Sequence, residues 1–408
     1  MRVNTIKEES MKVVACLGET FIKFNGAYYS DSGNALFLQK VFGIDNVIIF
    51  SAATQNENAQ IDISGMTSVI DAANFVEAPV PENCTTKIFY KKSFLNFGFY
   101  TRFAKSCDSL IEANPDAIFW ARTPSPLGIS FSNRVLRKKK KLLHHVCGDA
   151  RLTWKDQKYS GLNKCLAFVF SFVVTQQTLK ISKNTNAYNL TSGSLLFEYI
   201  NKVANGRTSQ FVDIALERYT AIPTSENKVL LNQKKLVLFV GRIVKDKGVF
   251  ELIEAIKSFD DFKVRIVGDG PDLKDAIALV EKNNIQHKVE FTGAINNKDL
   301  KKHYLDAYVV TMLSKTNEGF PRVIMEAWNY HKPVMSTSVG GVSAFIQNGV
   351  NAVVIRPGSI SDIINGLKYI NDTNNYSKLI EGSKQMSVFS NIDYWRNFLQ
   401  GIIKKIAG

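Results

Sequence analysis

Cysteine is scarce in this 408-residue chain, with five residues, Cys16, Cys84, Cys107, Cys147 and Cys165, scattered and odd in number. None forms a Cys-x-x-Cys pair and no histidine cluster accompanies them, which excludes a disulfide framework and a structural zinc site. No low-complexity segment or internal repeat is present. No apolar run reaches the roughly 20 residues that a spanning helix needs. The longest candidate, 165–174 (CLAFVFSFVV), is read as core. The start of the chain lacks a charged-then-apolar leader pattern, so a cytoplasmic location is expected. Acidic side chains are in deficit, 37 against 51 Lys and Arg, which gives a net charge of +14. Part of that excess is one dense run, Arg134, Arg137 and Lys138 to Lys141. No nucleic-acid-binding motif accompanies it, so no nucleic-acid partner is expected. Phosphorylated ligands and an anionic membrane surface remain as partners for such a charge.

What is present is ordinary globular composition, 45% hydrophobic and 22% charged. The length predicts two or three domains, each able to bury its own core. The second half alternates strands and helices. Strands are expected at 236–240, 263–267, 289–292, 308–313, 333–337 and 353–355. Helices are expected at 249–259, up to 283, 298–306, up to 330, and 361–370. Such repetition means a parallel, doubly wound sheet whose ligands bind at the carboxyl ends of the strands. The first half repeats the theme less cleanly, with strands near 12–17, 47–50, 117–120 and 141–146. Its aromatic and basic stretch 86–102 has no clear assignment. The domain limits read from the sequence are 1–228, 229–390 and a final helix, 391–408.

Two motifs carry chemistry. In the first, GRIVKDKG at 241–248, Arg242 supplies a forked donor and Lys247 a point charge between a strand and a helix, where a phosphate docks. In the second, Glu318-Gly319-Phe320-Pro321 leads into a helix carrying Glu326. Pro321 suits a first helical turn, and a helix start favours an anion. Two carboxylates beside an anion site accept hydrogen bonds from a hydroxyl-rich ligand such as a sugar nucleotide.

The order GRIVKDKG, IVGDGP, VEFTG, SKTNEGFPRVIMEA, VGG and NGVNAVVI, over 236–369, resembles the donor domain of family-4 retaining glycosyltransferases, with their Glu-x7-Glu motif. The resemblance is to bacterial-type enzymes of cell-surface polysaccharide synthesis. It implies a GT-B α/β fold: two Rossmann-like doubly wound domains facing a cleft, the C-terminal helix crossing back to the N-terminal domain. Arg242 and Lys247 would then hold the diphosphate and stabilise it as it leaves. Glu318 would orient the donor sugar, and the amides of Gly319 and Phe320 would bind its oxygens. Glu326 would accept the ribose hydroxyls. Gly241, Gly268, Gly270 and Thr292, with Pro321, would complete the donor site. In three places the sequence departs from the family pattern: Ala344, Ala352 and Arg322.

In the first half the resemblance is loose. Gly18, Gly26 and Gly33 are spread over what reads as one long loop holding Tyr28, Tyr29, Ser30 and Asp31, expected on the acceptor side. Asp149 is the catalytic candidate there, with His145 and Arg151 as alternatives. The implied reaction is transfer of a sugar from a nucleotide-diphosphate sugar to a glycan or lipid-linked acceptor, with no metal or cofactor. A peripheral position at the inner face of the membrane is expected from the basic run and the aromatic stretch 94–103. The competing readings are a nucleotide-sugar epimerase and a catalytically silent sugar-nucleotide-binding subunit.

Overall fold

The computed structural model describes residues 11–55, 63, 65–81, 84, 86–155, 159–219, 235–296, 299–316 and 321–407. The chain divides into two compact units, Met1–Asp213 with Arg396–Gly408, and Ile214–Trp395. The expected limit at 228 lies outside the described residues, and Phe211 and Val212 are buried in the first unit. Phe211 packs edge-on against Phe37, Trp120 and His145.

The first unit contains β1 (Val13–Phe24), β2 (Ala27–Ser30), α1 (Asn34–Phe42), β3 (Val47–Gln55), β4 (Ser68–Asp71) and β5 (Phe75–Glu77). It continues with α2 (Thr86–Leu95), α3 (Phe97–Ala113), β6 (Ile118–Thr123), α4 (Pro126–Arg137), β7 (Leu142–Val146) and α5 (Gly161–Lys183). β8 (Ala187–Thr191), α6 (Ser194–Ala204) and β9 (Thr208–Gln210) complete its first stretch. The sheet runs β4-β2-β1-β6-β7-β8-β9, with β3 pairing β1 and β5. β1 is central because Val13 to Leu17 are apolar on both faces and buried on both.

The stretch read as one long loop is a β-hairpin: β1 runs on to Phe24, turns at Asn25 and Gly26 with positive φ, and pairs antiparallel with β2. The unassigned stretch after Thr86 is helical throughout, broken only at Asn96, whose side chain caps α3 by accepting from the Phe99 N–H. Helix α4 starts on the cap that its sequence offers, Ser125 accepting from the Gly128 N–H with Pro126 in the first turn. Gly128 is required there: a Cβ would lie 2.1 Å from the Arg122 carbonyl oxygen.

The second unit contains β10 (Lys235–Val240), α7 (Val249–Ile256), β11 (Phe262–Val267), α8 (Leu273–Lys282), β12 (Val289–Gly293) and α9 (Leu300–Asp306). Then follow β13 (Val309–Met312), α10 (Arg322–Asn329), β14 (Val334–Thr337), β15 (Val353–Ile355), α11 (Ile360–Asn371) and α12 (Thr373–Met386). Its six strands are ordered β12-β11-β10-β13-β14-β15 and are all parallel. The order reverses between β10 and β13, so the loops after these two strands flank a switch point. The core is built from both strand faces and from the apolar side of α7, Val249, Leu252, Ile253 and Ile256.

The last helix, α13 (Ile392–Ala407), is divided between the units at Trp395 and Arg396. Its later part belongs to the first unit, where Arg396 donates to the Lys40 carbonyl at the end of α1 (2.7 Å) and Leu399, Ile402 and Ile403 are buried.

One expectation is reversed. Residues 165–174, read as core, lie in the first half of α5 with Cys165, Leu166, Phe168, Val169, Phe172 and Val173 exposed. α5 is one helix long and apolar enough to cross a membrane by length and composition. Three of the six cations of the basic run have local partners: Arg134 makes a forked pair with Asp108, Lys138 reaches Glu112 (2.7 Å), and Lys140 donates to the Pro115 carbonyl (2.7 Å). Within 94–103, Phe99 and Phe103 are core residues.

Candidate functional site

In the second unit the loop after β10 is built by backbone contacts. The Gly241 N–H donates to the Val267 carbonyl and the Ile243 N–H to the Asp269 carbonyl, both at 2.9 Å. The Asp272 carboxylate accepts from the Lys245 N–H (2.8 Å). The loop after β11 lies so close that a Cβ on Gly268 would come within 1.9 Å of the Gly241 carbonyl oxygen. A Cβ on Gly270 would come within 2.2 Å of the Ile243 carbonyl oxygen. Glycine is the residue that permits this approach. The next strand joins the same way, with the Gly268 N–H donating to the Gly293 carbonyl (2.9 Å) and the Thr292 hydroxyl to the Ile266 carbonyl (3.4 Å). Gly241, Gly268, Gly270 and Thr292, which the family resemblance groups together, therefore occupy adjoining strand ends.

Gly248 opens α7 with φ +76°, and a Cβ there would strike Leu313, just past β13. The Lys315 N–H, two residues on, donates to the Asp246 carbonyl (2.7 Å). The loop after β13 is thus fastened to the loop that carries Arg242 and Lys247. Arg242 is exposed and Lys247 half-buried on that loop. Glu318, Gly319 and Phe320 lie outside the described residues. Pro321 stands at the N-cap of α10, one place before the helix and not within its first turn.

Glu326 points into a half-buried position on α10, where the Tyr304 hydroxyl of α9 donates to one of its carboxylate oxygens. Burial pushes the Glu326 carboxyl above the usual carboxylate range, against the opposing effects of the Tyr304 hydrogen bond and Arg322. Burial, followed by the Glu326 charge, holds the Tyr304 phenol well above its usual value. Only one Glu326 oxygen is used in that bond, so the other can accept from a ligand hydroxyl.

Sequence reasoning missed three contributors. Tyr304 sits in an unremarkable Lys-Lys-His-Tyr stretch, and no spacing links it to Glu326. Lys315 pairs with Glu251 on α7 (2.9 Å), with one Glu251 oxygen buried and without a hydrogen-bond partner. Asn351, in the NGVN turn, donates to the Phe345 carbonyl (2.8 Å), accepts from the Gln347 N–H (2.7 Å), and offers its own carbonyl to the Trp328 indole of α10 (3.2 Å). The turn therefore holds the helix of Glu326 in place.

The first unit rearranges most of its candidates. Asp149 and Arg151, weighed as alternatives, form one ion pair: Arg151 donates Nε and Nη2 to the two carboxylate oxygens at 2.8 and 2.6 Å, and its guanidinium stacks on Tyr199. His145 is no surface group. It is buried among Trp120 and Phe211, with Nε2 3.3 Å from the Ser192 hydroxyl. Its neighbour His144 is also buried, between the Thr123 hydroxyl and the Asn189 side-chain oxygen, each at 2.9 Å, and burial lowers its pKa to about 4.

Tyr28 is buried in β2, stacked on Phe75 and donating to Glu77 (2.6 Å). Ser30 is buried and accepts from the Ser32 N–H (3.1 Å), Tyr29 is half-buried, and Asp31 is exposed. The hairpin explains the difference between them: strand alternation sends every second residue into the sheet. A polar group absent from the sequence reading lies along β1 and at the end of β6. Arg122 lies 3.6 Å from Asp213, and Asn34 donates to Glu19 (2.9 Å). Burial raises the Glu19 carboxyl, and one of its oxygens is buried with no hydrogen-bond partner.

Residues 222–386 match the family model of glycosyl transferases group 1. The chain is 40% identical over 127 residues to a Bacillus subtilis protein provisionally named a teichuronic acid biosynthesis glycosyltransferase, covering 31% of this chain and 30% of the relative. It is 27% identical over 221 residues to the 2-deoxystreptamine N-acetyl-D-glucosaminyltransferase of Niallia circulans, covering 50% of this chain and 55% of the relative. These alignments span about a third to a half of the relatives' own length. Among solved structures, HepE of Anabaena in complex with UDP is similar at a TM-score of 0.67 and 14% identity, covering 97% of this chain and 100% of that one. Sucrose-phosphate synthase of Thermosynechococcus elongatus is similar at 0.67 and 16%, covering 97% and 99%. The fold is thus a two-domain, GT-B-like α/β fold, and residues 222–386 of it match the family model of glycosyl transferases group 1.

Proposed function

We propose that this chain is a glycosyltransferase that moves a sugar from a nucleotide-diphosphate sugar to a hydroxyl of a glycan or lipid-linked acceptor, with retention of configuration. The observation that carries this reading is the backbone-built seat of the second unit. There the Arg242–Lys247 loop is fastened at once to the strand ends of β11 and β13 and stands on a group 1 domain. HepE, solved with UDP, supports a nucleoside diphosphate as the ligand class.

The barrier in such a transfer is cleavage of the anomeric C–O bond, with positive charge growing on the sugar and negative charge on the departing phosphate. Preorganised donors aimed at that negative charge are each worth about 3–4 kcal/mol, or roughly 10²–10³ in rate. Arg242 and Lys247 fill this role, and being cations themselves they offset the diphosphate charge without a metal. Glu326 receives the ribose hydroxyls, its carboxylate held by Tyr304. Glu318 orients the sugar, and attack on the same face is assisted by the donor phosphate, which takes the acceptor proton.

A thermal-shift panel of nucleotides and nucleotide sugars tests the donor site, since a ligand at 100 times its Kd stabilises the folded state by about 2.7 kcal/mol. One nucleoside diphosphate and its sugar should stand out, and transfer from that sugar should survive a chelator. A flat panel would remove the reading. Loss of transfer to a chelator, restored by Mg²⁺, would remove the metal-free charge balance.

A further inference from the structure

Helix α5 is built inside out. Its buried stripe is Ser171, Thr175, Thr178 and Ser182, together with Val174 and Ile181. Thr175 and Thr178 satisfy their hydroxyls on the carbonyls of Ser171 and Val174, at 2.7 and 2.9 Å. The outer side carries Leu162, Leu166, Phe168, Val169, Phe172 and Val173, all exposed, with Leu162 at 84% and Phe172 at 60%. A water-facing helix has the opposite arrangement. Helix α2 extends the same surface: its Tyr90 ring stacks on Phe170 and its hydroxyl donates to Gln177 (2.7 Å). At its end Phe94 is 89% exposed and Leu95 68%.

Charge indicates what covers this face. α2 carries Lys87, Lys91 and Lys92, α5 carries Lys164, Lys180 and Lys183, and neither helix contains an Asp or Glu. Beside them Trp154 packs edge-on against Phe168 (5.4 Å), with the ammonium groups of Lys155 and Lys164 at 5.7 and 5.9 Å from its ring. Aromatic and cationic side chains around an apolar patch match the headgroup level of an anionic bilayer. Length decides between lying on the membrane and crossing it. The outward apolar stretch, 162–173, rises about 18 Å at 1.5 Å per residue, well short of the ~30 Å hydrocarbon layer. The remainder of α5 is engaged in the core of the unit through Val174 and Ile181.

We propose that α2 and α5 form a membrane-docking platform that lies in the plane of an anionic phospholipid surface, with Phe94, Phe168 and Phe172 inserted and the lysines at the headgroups.

The test is flotation of the full chain with phosphatidylcholine vesicles, with and without phosphatidylglycerol. Binding is expected to the anionic vesicles and to weaken at high salt. Phe168→Ser with Phe172→Ser should lower the partition coefficient by about tenfold or more, and Lys91→Glu with Lys92→Glu by about fivefold per site. All four positions are exposed, so the thermal midpoint should hold, which separates lost docking from lost folding. Trp154 gives a local readout, because Trp120, Trp328 and Trp395 are buried. Brominated lipid should quench a component of the fluorescence that Trp154→Phe removes. The proposal is overturned if the chain ignores anionic vesicles or if the serine variant binds as well as the parent. It is also overturned if the chain is a dimer in buffer that the serine variant dissolves, which would make the face a contact with a second copy. Vesicle binding is read without donor or acceptor, so its failure leaves the transfer reaction standing.

Discussion

The two units solve the same problem differently at the carboxyl ends of their strands. In the second, the loops after β10 and β11 meet backbone to backbone, with Gly268 against Gly241 and Gly270 against Ile243. In the first, one such approach occurs, Gly128 against the Arg122 carbonyl, and Trp120 of β6, His145 of β7 and Phe211 pack edge to face as side chains. A seat made of backbone leaves its cationic side chains free to face a ligand. A seat made of side chains spends them on packing. A backbone seat also leaves a mark in the sequence, since only glycine fits, whereas aromatic packing leaves none that differs from ordinary core.

The sharpest way to break this comparison is Arg242→Ala. Transfer should fall by about 10²–10³, equivalent to roughly 3–4 kcal/mol, with the thermal midpoint unchanged because the residue is exposed. A parallel loss of stability would show Arg242 to be structural. Next is Gly270→Ala, which forces a Cβ into the Ile243 carbonyl and should cost about 3 kcal/mol. Its control, Gly293→Ala, has positive φ but open space around the Cβ and should cost only about 1 kcal/mol. Equal losses in denaturant midpoints would end the claim that close approach sets the seat.

In the first unit the sensitive element is His144. Its folded pKa, about 4, lies below the unfolded value, so its stabilising effect is complete above about pH 6.5. That effect is lost as pH falls toward 4, because the unfolded chain takes the proton first. The full change is roughly 3 kcal/mol, and His144→Gln should flatten that part of the stability-versus-pH curve. A smaller effect than that of His144 is expected of Tyr304→Phe, about 2 kcal/mol. It removes the donor to Glu326, so the Glu326 carboxyl should rise further, and nucleotide affinity should weaken more at pH 6 than at pH 8. An unchanged pH profile would detach Tyr304 from the site.

How far the sequence could be read follows the same division. The alternation of the second unit was legible because parallel strands covered on both faces appear as unbroken apolar runs such as Val237 to Val240. Its loops were legible through Gly241, Gly248, Gly268 and Gly270. The hairpin of β1 and β2 was taken for a loop because two tyrosines between glycines have no strong period. His145, a catalytic alternative, and Tyr28, expected on the acceptor side, are both buried, and strand alternation decides burial only once the register is known. The misreading of 165–174 has another cause. Hydropathy records that a residue avoids water and is silent on whether protein or lipid replaces it, so a run that belongs outside looks like core. Tyr304 and Lys315 act through contacts between elements far apart in sequence, and no local pattern encodes them.

The division of α13 between the units governs the order in which the protein can be completed. The first unit starts at the beginning of the chain but is finished by Leu399, Ile402 and Ile403, and the whole second unit, Ile214–Trp395, lies between. A ribosome making this chain delivers the second unit intact while the first still lacks a helix. The later-encoded unit is therefore the one able to fold without waiting, and the earlier one stays open to chaperones and proteases until the final turn emerges.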